Sequence, residues 1–495
     1  MLQRLIFCGK KTIIVKRTDN VIADNGSCKN LQINRTKALK AKHSNNTRIR
    51  KMIASIVLGA VAVVGTIASI IFLPEVKVKG KRVSIFWLPA FACAIIILCI
   101  GALPIKDAMQ GLAGDMFSMF EGRVSVNPVK ILLLFFGMTA ISVFLDEAGV
   151  FRYLATKSAK LAGSSQKKLF FILYAVVSIL TVFTSNDIII LTFTPFICYF
   201  CKNAKISPLP YLVSEFVAAN TFSMIFIIGN PTNIYLAENY GITFGRYFET
   251  MALPTILGGF TALGVLYLIF KNKLKEAIEV TDFQDATIEK KSLAIFGASV
   301  LGVCLVLLVI SDYIGVEMWA FAVLALVVLV VGCLIICAVK KEKPIELGRT
   351  FARLPYELIP FVVSMFIIVL ALKRNGVADE IANVFAKAGS NLDILTYGVS
   401  STLAANLINN IPMSVLYSVI TQNASPFAVY ASVVGSNIGA FLTPVGALAG
   451  IMFTGLLKSL DVKFSFADFA KHGVTVAIPT LFATLAGLYI MQAIM

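Results

Sequence analysis

Four polar clusters lie inside apolar runs, and their residue types suit the ligation of ions. Ser185-Asn186-Asp187 interrupts the run 169–200, and Asn409-Asn410-Ile411-Pro412 interrupts 396–422. Asn220-Thr221 with Gly229-Asn230-Pro231-Thr232-Asn233 breaks 211–236, and Ser436-Asn437 with Thr443-Pro444-Val445-Gly446 breaks 427–456. Amide, hydroxyl and unwound carbonyl oxygens can ligate a cation, while the N-termini of helices that restart after a break favour an anion. The residues expected to form a substrate or ion site are therefore Ser185, Asn186, Asp187, Asn220, Thr221, Gly229, Asn230 and Thr232, with Asn409, Asn410, Ser436, Asn437, Thr443 and Gly446. Helix–helix hydrogen bonding is the competing use for any one of these Asn and Ser side chains. Asp187 stands out, because a carboxylate at membrane depth is costly and marks ion or proton pathways. It is expected to bind a cation, with Asn186 and Asn220 as co-ligands for Na⁺, or to exchange H⁺; capping the second half-helix is its structural alternative.

Other chemistry finds less support. Glu215 lies early in its run and reads as interfacial, and Glu357 opens its helix as a dipole partner. Cys198-x-x-Cys201, with no second CxxC, reads as packing, and so do Cys333 and Cys337. Neither His43 nor His472 lies in a span, so no metal site and no catalytic residue is expected. No phosphate-binding loop is present, so ATP is not expected to drive this chain directly.

The elements that position these clusters follow from composition. Of 495 residues, 58% are hydrophobic and 14% charged. A soluble domain carries about a quarter charged residues, which excludes that class. Runs long enough to span a bilayer occur at 52–73, 84–103, 130–147, 169–200, 211–236, 251–270, 292–310, 317–338, 356–372, 396–422, 427–456 and 473–494. The formal net charge of +17 is concentrated in residues 1–51, which hold +11 of it, so nucleic acid is not expected as a partner.

The chain repeats internally. Residues 132–150 align with 359–377, pairing Met138 with Met365 and Gly149 with Gly376. Asn186 then falls opposite Asn409, Asn220 opposite Asn437, Gly229 opposite Gly446, and Trp87 opposite Trp319. Asp187 meets Asn410, so the acid is asymmetric. The basic segments after 130–147 (Arg152, Lys157, Lys160, Lys167, Lys168) and before 356–372 (Lys340, Lys341, Lys343, Arg349, Arg353) are both expected on the cytoplasmic side. The matched helices then run in opposite directions, provided that 169–200 and 396–422 are re-entrant hairpins. The fold expected is an all-α integral membrane protein of two inverted repeats, each with a re-entrant hairpin and a broken span. Such a frame points to a secondary transporter with its site near the midplane. Inversion also places the pairs Asp146/Glu147 and Lys373/Arg374 on opposite faces, so no bridge between them is expected.

FTSNDIIILTFTPFICYF followed by AANTFSMIFIIGNPTNIYLAE, then NLINNIPMSVLYSVI followed by VVGSNIGAFLTPVGALAGIMF, resembles the ion-transporter superfamily of arsenite efflux pumps, sodium/proton antiporters and citrate or dicarboxylate transporters. The resemblance covers about residues 52–495 and implies inverted repeats with re-entrant hairpins, a homodimer, and a multi-pass protein of the plasma membrane. Where the dicarboxylate branch carries Ser-Asn-Thr in both hairpins, this chain carries Ser185-Asn186-Asp187 and Asn409-Asn410-Ile411, which look more like the arsenite-pump branch. The resemblance therefore implies an arsenite-type efflux permease for a small inorganic solute, coupled to Na⁺ or H⁺ and with no other cofactor. Sodium/proton antiport comes next, then citrate or dicarboxylate transport; a channel or membrane scaffold is the non-transport alternative. The partners expected are the lipid bilayer and the ionic solute, and a soluble ATPase subunit stays open.

The domains expected are a basic tail at 1–51, a first repeat at 52–270, a charged linker at 271–291 and a second repeat at 292–495. The loop charges would place the tail outside the cell. That conflict favours a start at Met52 over a removed presequence or a misread first span.

Overall fold

The computed structural model describes residues 4–8, 11–15, 47, 49–69, 72, 75–78, 81–113, 127–278, 287, 288, 290–311, 313–387, 389–422 and 424–495. Residues 1–53 and 54–495 are separate compact units. In the first, β1 (Arg4–Cys8) and β2 (Lys11–Val15) form an antiparallel hairpin, and the rest of the basic tail falls almost wholly outside the described residues. In the second unit, β3 (Glu75–Val78) and β4 (Lys81–Ser84) form another. Among the described residues these hairpins are the exceptions to the all-α architecture. The middle of the 271–291 linker also lies outside the described residues.

Twenty α-helices among the described residues divide into two sets of ten in the same order. The first set is α1 (Ile49–Ser69), α2 (Leu88–Cys99), α3 (Ile105–Ala113), α4 (Pro128–Glu147), α5 (Val150–Ala162), α6 (Gln166–Phe183), α7 (Asn186–Asn203), α8 (Leu209–Phe222), α9 (Pro231–Asn239) and α10 (Phe244–Phe270). The second is α11 (Lys291–Ile310), α12 (Met318–Val339), α13 (Ile345–Ala352), α14 (Leu358–Arg374), α15 (Val377–Ala386), α16 (Asp393–Ile408), α17 (Asn410–Ile420), α18 (Pro426–Gly439), α19 (Leu448–Ser459) and α20 (Phe466–Ile494). Seven of these helices (α1, α4, α6, α10, α11, α12 and α20) are long and apolar enough to cross a membrane, and α14 with α15, bent by 72°, gives an eighth candidate. The first of them starts at Ile49, ahead of the expected 52, because Ile49, Arg50 and Lys51 continue the helix.

Local chemistry sets the element ends. Pro128 opens α4 behind Asn127, whose side chain accepts from Val129 N at 2.9 Å; Ser165 caps α6 by accepting from Lys168 N, and Ser465 forms a capping box with Asp468 on α20. The matched Gly149 and Gly376 separate α4 from α5 and α14 from α15, with φ of 84° and 83°. Both need the left-handed region that glycine enters without penalty.

Each helical hairpin folds back on itself. Tyr211, just beyond α7, donates its hydroxyl to Gln166 Oε1 at the start of α6 (3.0 Å). In the second repeat Ser425 N, beyond α17, donates to Asp393 Oδ2 at the start of α16 (3.0 Å). Start and finish of each hairpin therefore lie at one level, which is the re-entrant geometry. Their tips, Thr184-Ser185 and Asn409, leave short stretches of non-helical backbone, tolerable at membrane depth only when buried in protein or lining a cavity.

The repeats complete each other by exchange. Helix α4 packs on α12 and α14 on α2; α7 packs on α19 and α17 on α9; α8 meets α18 and α10 meets α20. Every cross-repeat contact in that set returns when the halves are interchanged, so an approximate two-fold relates the inverted repeats. Small residues permit close approach along α10 and α20: a Cβ on Gly487 would stand 2.6 Å from Pro254 Cα, and one on Gly258 would strike the Thr484 hydroxyl.

Helix starts revise the sequence pairing by one residue. Ser185 and Asn409 are the equivalent N-caps of α7 and α17. Asn186 therefore corresponds to Asn410, and Asp187 faces no polar counterpart but Ile411.

Candidate functional site

The breaks of both repeats gather around α8 and α18. Asn230, the N-cap of α9, donates its side-chain amide to Asn437 Oδ1 at 2.8 Å, and Ser223 donates to the same oxygen at 3.1 Å. Asn437 in turn donates to Asn233 Oδ1 at 2.7 Å, and Ser436 donates to Thr232 Oγ1 at 2.8 Å. Asn220 and Asn437, matched in the repeats, each return an amide hydrogen to a carbonyl one turn back, Phe216 O and Val433 O, at 2.8 Å. These side chains are buried and mutually satisfied, so four of the sequence-predicted residues (Asn230, Thr232, Ser436, Asn437) form the junction of the two halves.

The first hairpin tip adds a lateral bond. Asn186 Nδ2 donates to Asn220 Oδ1 at 2.9 Å. At the second tip Asn409, at φ 68°, donates to Val445 O at 2.8 Å, and Thr443 donates to Asn406 Oδ1 at 2.7 Å. Gly229 and Gly446 close the one-turn 3₁₀ segments of the two broken spans. A Cβ on Gly229 would lie 2.2 Å from Ser223 O, and one on Gly446 2.7 Å from Asn406 Oδ1 and 2.9 Å from Gly439 O. The backbone can approach only because no side chain is there.

Three predicted residues keep buried polar atoms without a hydrogen-bond partner: Ser185 Oγ, Thr221 Oγ1 and Asn410 Oδ1. Such atoms are rare in folded proteins, because each costs about 1–3 kcal/mol when unsatisfied. Ser185 and Asp187 line a cavity of about 790 Å³ bounded by α4, the 352–357 segment and α19, with Arg353, Glu357 and Lys458 also on its walls. No bond joins the Asp187 carboxylate to Asn186 or Asn220; it faces the cavity with no partner among the described residues. Arg353 is already held, at 2.7 Å from Asp146 Oδ2 and 2.5 Å from Glu147 Oε1.

Sequence reasoning passed over three participants. Ser223 and Asn233 belong to the central junction and Asn406 to the second tip. Asn233 stands inside a polar cluster that marks a break, and Ser223 and Asn406 stand inside the quoted runs around the breaks, which was the available signal. Glu215, expected at the interface, is 1% exposed, because α8 runs through the interior between α6, α7, α10 and α18. The thiols of Cys198 and Cys201 are free and buried.

Paired re-entrant hairpins and broken spans meeting at buried tips define a multi-pass membrane transporter. The chain belongs to the citrate transporter family, CitMHS, whose match covers residues 83–430. It is 24% identical over 407 residues to an arsenical pump membrane protein of Escherichia coli, covering 79% of this chain and 93% of that one. It is 25% identical over 370 residues to the arsenical pump membrane protein of Yersinia enterocolitica, covering 72% and 84%. Among solved structures, the antimetabolite efflux pump MtrF of Neisseria gonorrhoeae shares the fold, with a TM-score of 0.51 at 12% identity over 89% of this chain and 94% of that one.

Proposed function

We propose that this protein is a secondary active permease exporting a small inorganic solute of the arsenite type, driven by an ion gradient. The observation that carries this reading is the unpartnered Asp187 carboxylate at the head of α7, beside Ser185 on the wall of the cavity. A fixed acid there repels a di- or tricarboxylate, whereas a cation, a proton or neutral As(OH)₃ meets no such penalty. Arg353 offers no anion clamp, because two acids already occupy it. The names of the arsenical pump relatives support the solute.

Sodium/proton exchange is the second reading, and Asp187 favours it as well: a carboxylate facing the cavity beside the unpartnered Ser185 hydroxyl can take Na⁺ or H⁺. The test is uptake into proteoliposomes of arsenite, Na⁺ and citrate, each with and without an imposed pH or Na⁺ gradient. Arsenite should move with a gradient and citrate should not. Asp187→Asn should lose both the rate and its dependence on pH or Na⁺; wild-type behaviour in that variant would sink the assignment.

A further inference from the structure

Glu215, midway along α8, is buried in the interior away from the cavity, and the export pathway above makes no use of it. Its carboxyl oxygens lie 3.0 and 3.1 Å from the hydroxyl of Thr194 on α7, and no Lys, Arg or His among the described residues pairs with it. The titratable side chain that faces it is Cys198, one turn along α7. Helices α6, α10, α18 and α20 pack around α8 without bringing it a charge, and the adjoining Phe216 is covered by Phe453 and Phe469. An ionised carboxylate with one hydroxyl and no counter-charge is strongly disfavoured at that depth; the neutral acid is the state such surroundings accept.

The same two helices are tied twice. Asn186 bonds Asn220 near the hairpin tip, and Thr194 bonds Glu215 further along. Asn186 adjoins Asp187, which faces the cavity. Removing a proton from Glu215 would create a buried charge that only water entering between α7 and α8 could solvate. Ionisation therefore requires those helices to part, and α7 carries Asp187 with it. The matching position in the second repeat is Ser432, whose hydroxyl is closed onto Ala428 O, so one half alone offers this group.

We propose that Glu215 is a proton-carrying site, holding H⁺ in the conformation described and giving it to water when α7 and α8 separate during transport. This deepens the reading of an ion-coupled permease and rests on it for the coupling role. Infrared difference spectra of the full-length protein in liposomes, titrated with acid and base, should show a protonated-carboxyl band at neutral pH. The band should be missing from Glu215→Gln and kept in Asp187→Asn; identical bands in wild type and Glu215→Gln would overturn the assignment. In the same vesicles Glu215→Gln, which mimics the neutral acid, should lose pH-gradient-driven arsenite accumulation, and Glu215→Asp should keep it with a displaced pH profile. A Gln variant with the wild-type profile would also overturn it. Wild-type vesicles that move no arsenite would defeat the permease reading instead, and the infrared arm would still decide whether Glu215 holds a proton.

Discussion

Asn230 donates its side-chain amide to Asn437 at 2.8 Å, tying the N-cap of α9 in one repeat to the last turn of α18 in the other. Asn437 also serves Ser223 and Asn233, so it is the hub at which both broken spans are held. Replacing it with Ala strands two buried polar groups, Asn230 Nδ2 and Asn233 Oδ1, while Ser223 keeps its bond to Asn220 O. Asn437→Ala is expected to cost about 2–4 kcal/mol, read as a lower melting temperature of the detergent-solubilised protein. Asn220→Ala, which strands Asn186 alone, should cost less.

The glycines at the 3₁₀ turns make a steric prediction. Gly229→Ala places a methyl group against Ser223 O, and Gly446→Ala places one between Asn406 and Gly439 O. Both should abolish uptake. Gly245→Ala and Gly348→Ala, with open space around the added carbon, should transport like wild type.

Ion pairs at the two helix ends should differ in weight. Arg353 is one-third exposed and bonded to two nearly buried acids, so Arg353→Ala is expected to cost about 1–3 kcal/mol, between the exposed and buried limits. Arg374, half exposed, pairs with Asp107, and Arg374→Ala should cost about 0–1 kcal/mol. Thermal melts of the two variants side by side check the ranking.

The cavity wall can be mapped with thiol chemistry. In a cysteine-free background Met452→Cys, on the lining, should react with a water-soluble maleimide, whereas Val433→Cys, fully buried, should not. A membrane-impermeant reagent should label Met452→Cys from the side that carries the basic 340–353 segment, since Arg353 lines the same cavity.

Much of this frame was legible in the sequence. Apolar runs interrupted by Asn, Gly and Pro marked the breaks, and the match of Gly149 with Gly376 fell on positions that the structure shows to share a left-handed turn. What stayed hidden depends on contact between distant segments. An offset comparison finds which residues resemble each other, not that α7 packs on α19 and α17 on α9. The tip register slipped by one because Asn-Asn at 409–410 offers two matches for Asn186, and only the helix starts choose between them. Glu215 was misplaced because position along a run does not tell how deeply a helix is enclosed.

The end-of-helix charges carry a further consequence. Asp146 and Glu147 close α4 and meet Arg353 just beyond α13, while Arg374 closes α14 and meets Asp107 in α3. Arg374 stands where Glu147 stands in the first repeat, with the sign reversed, whereas Asp107 lies in the first turn of α3 and Arg353 follows the last turn of α13. At both contacts the first half supplies the acids and the second half the bases, so the charges favour the pairing of unlike halves.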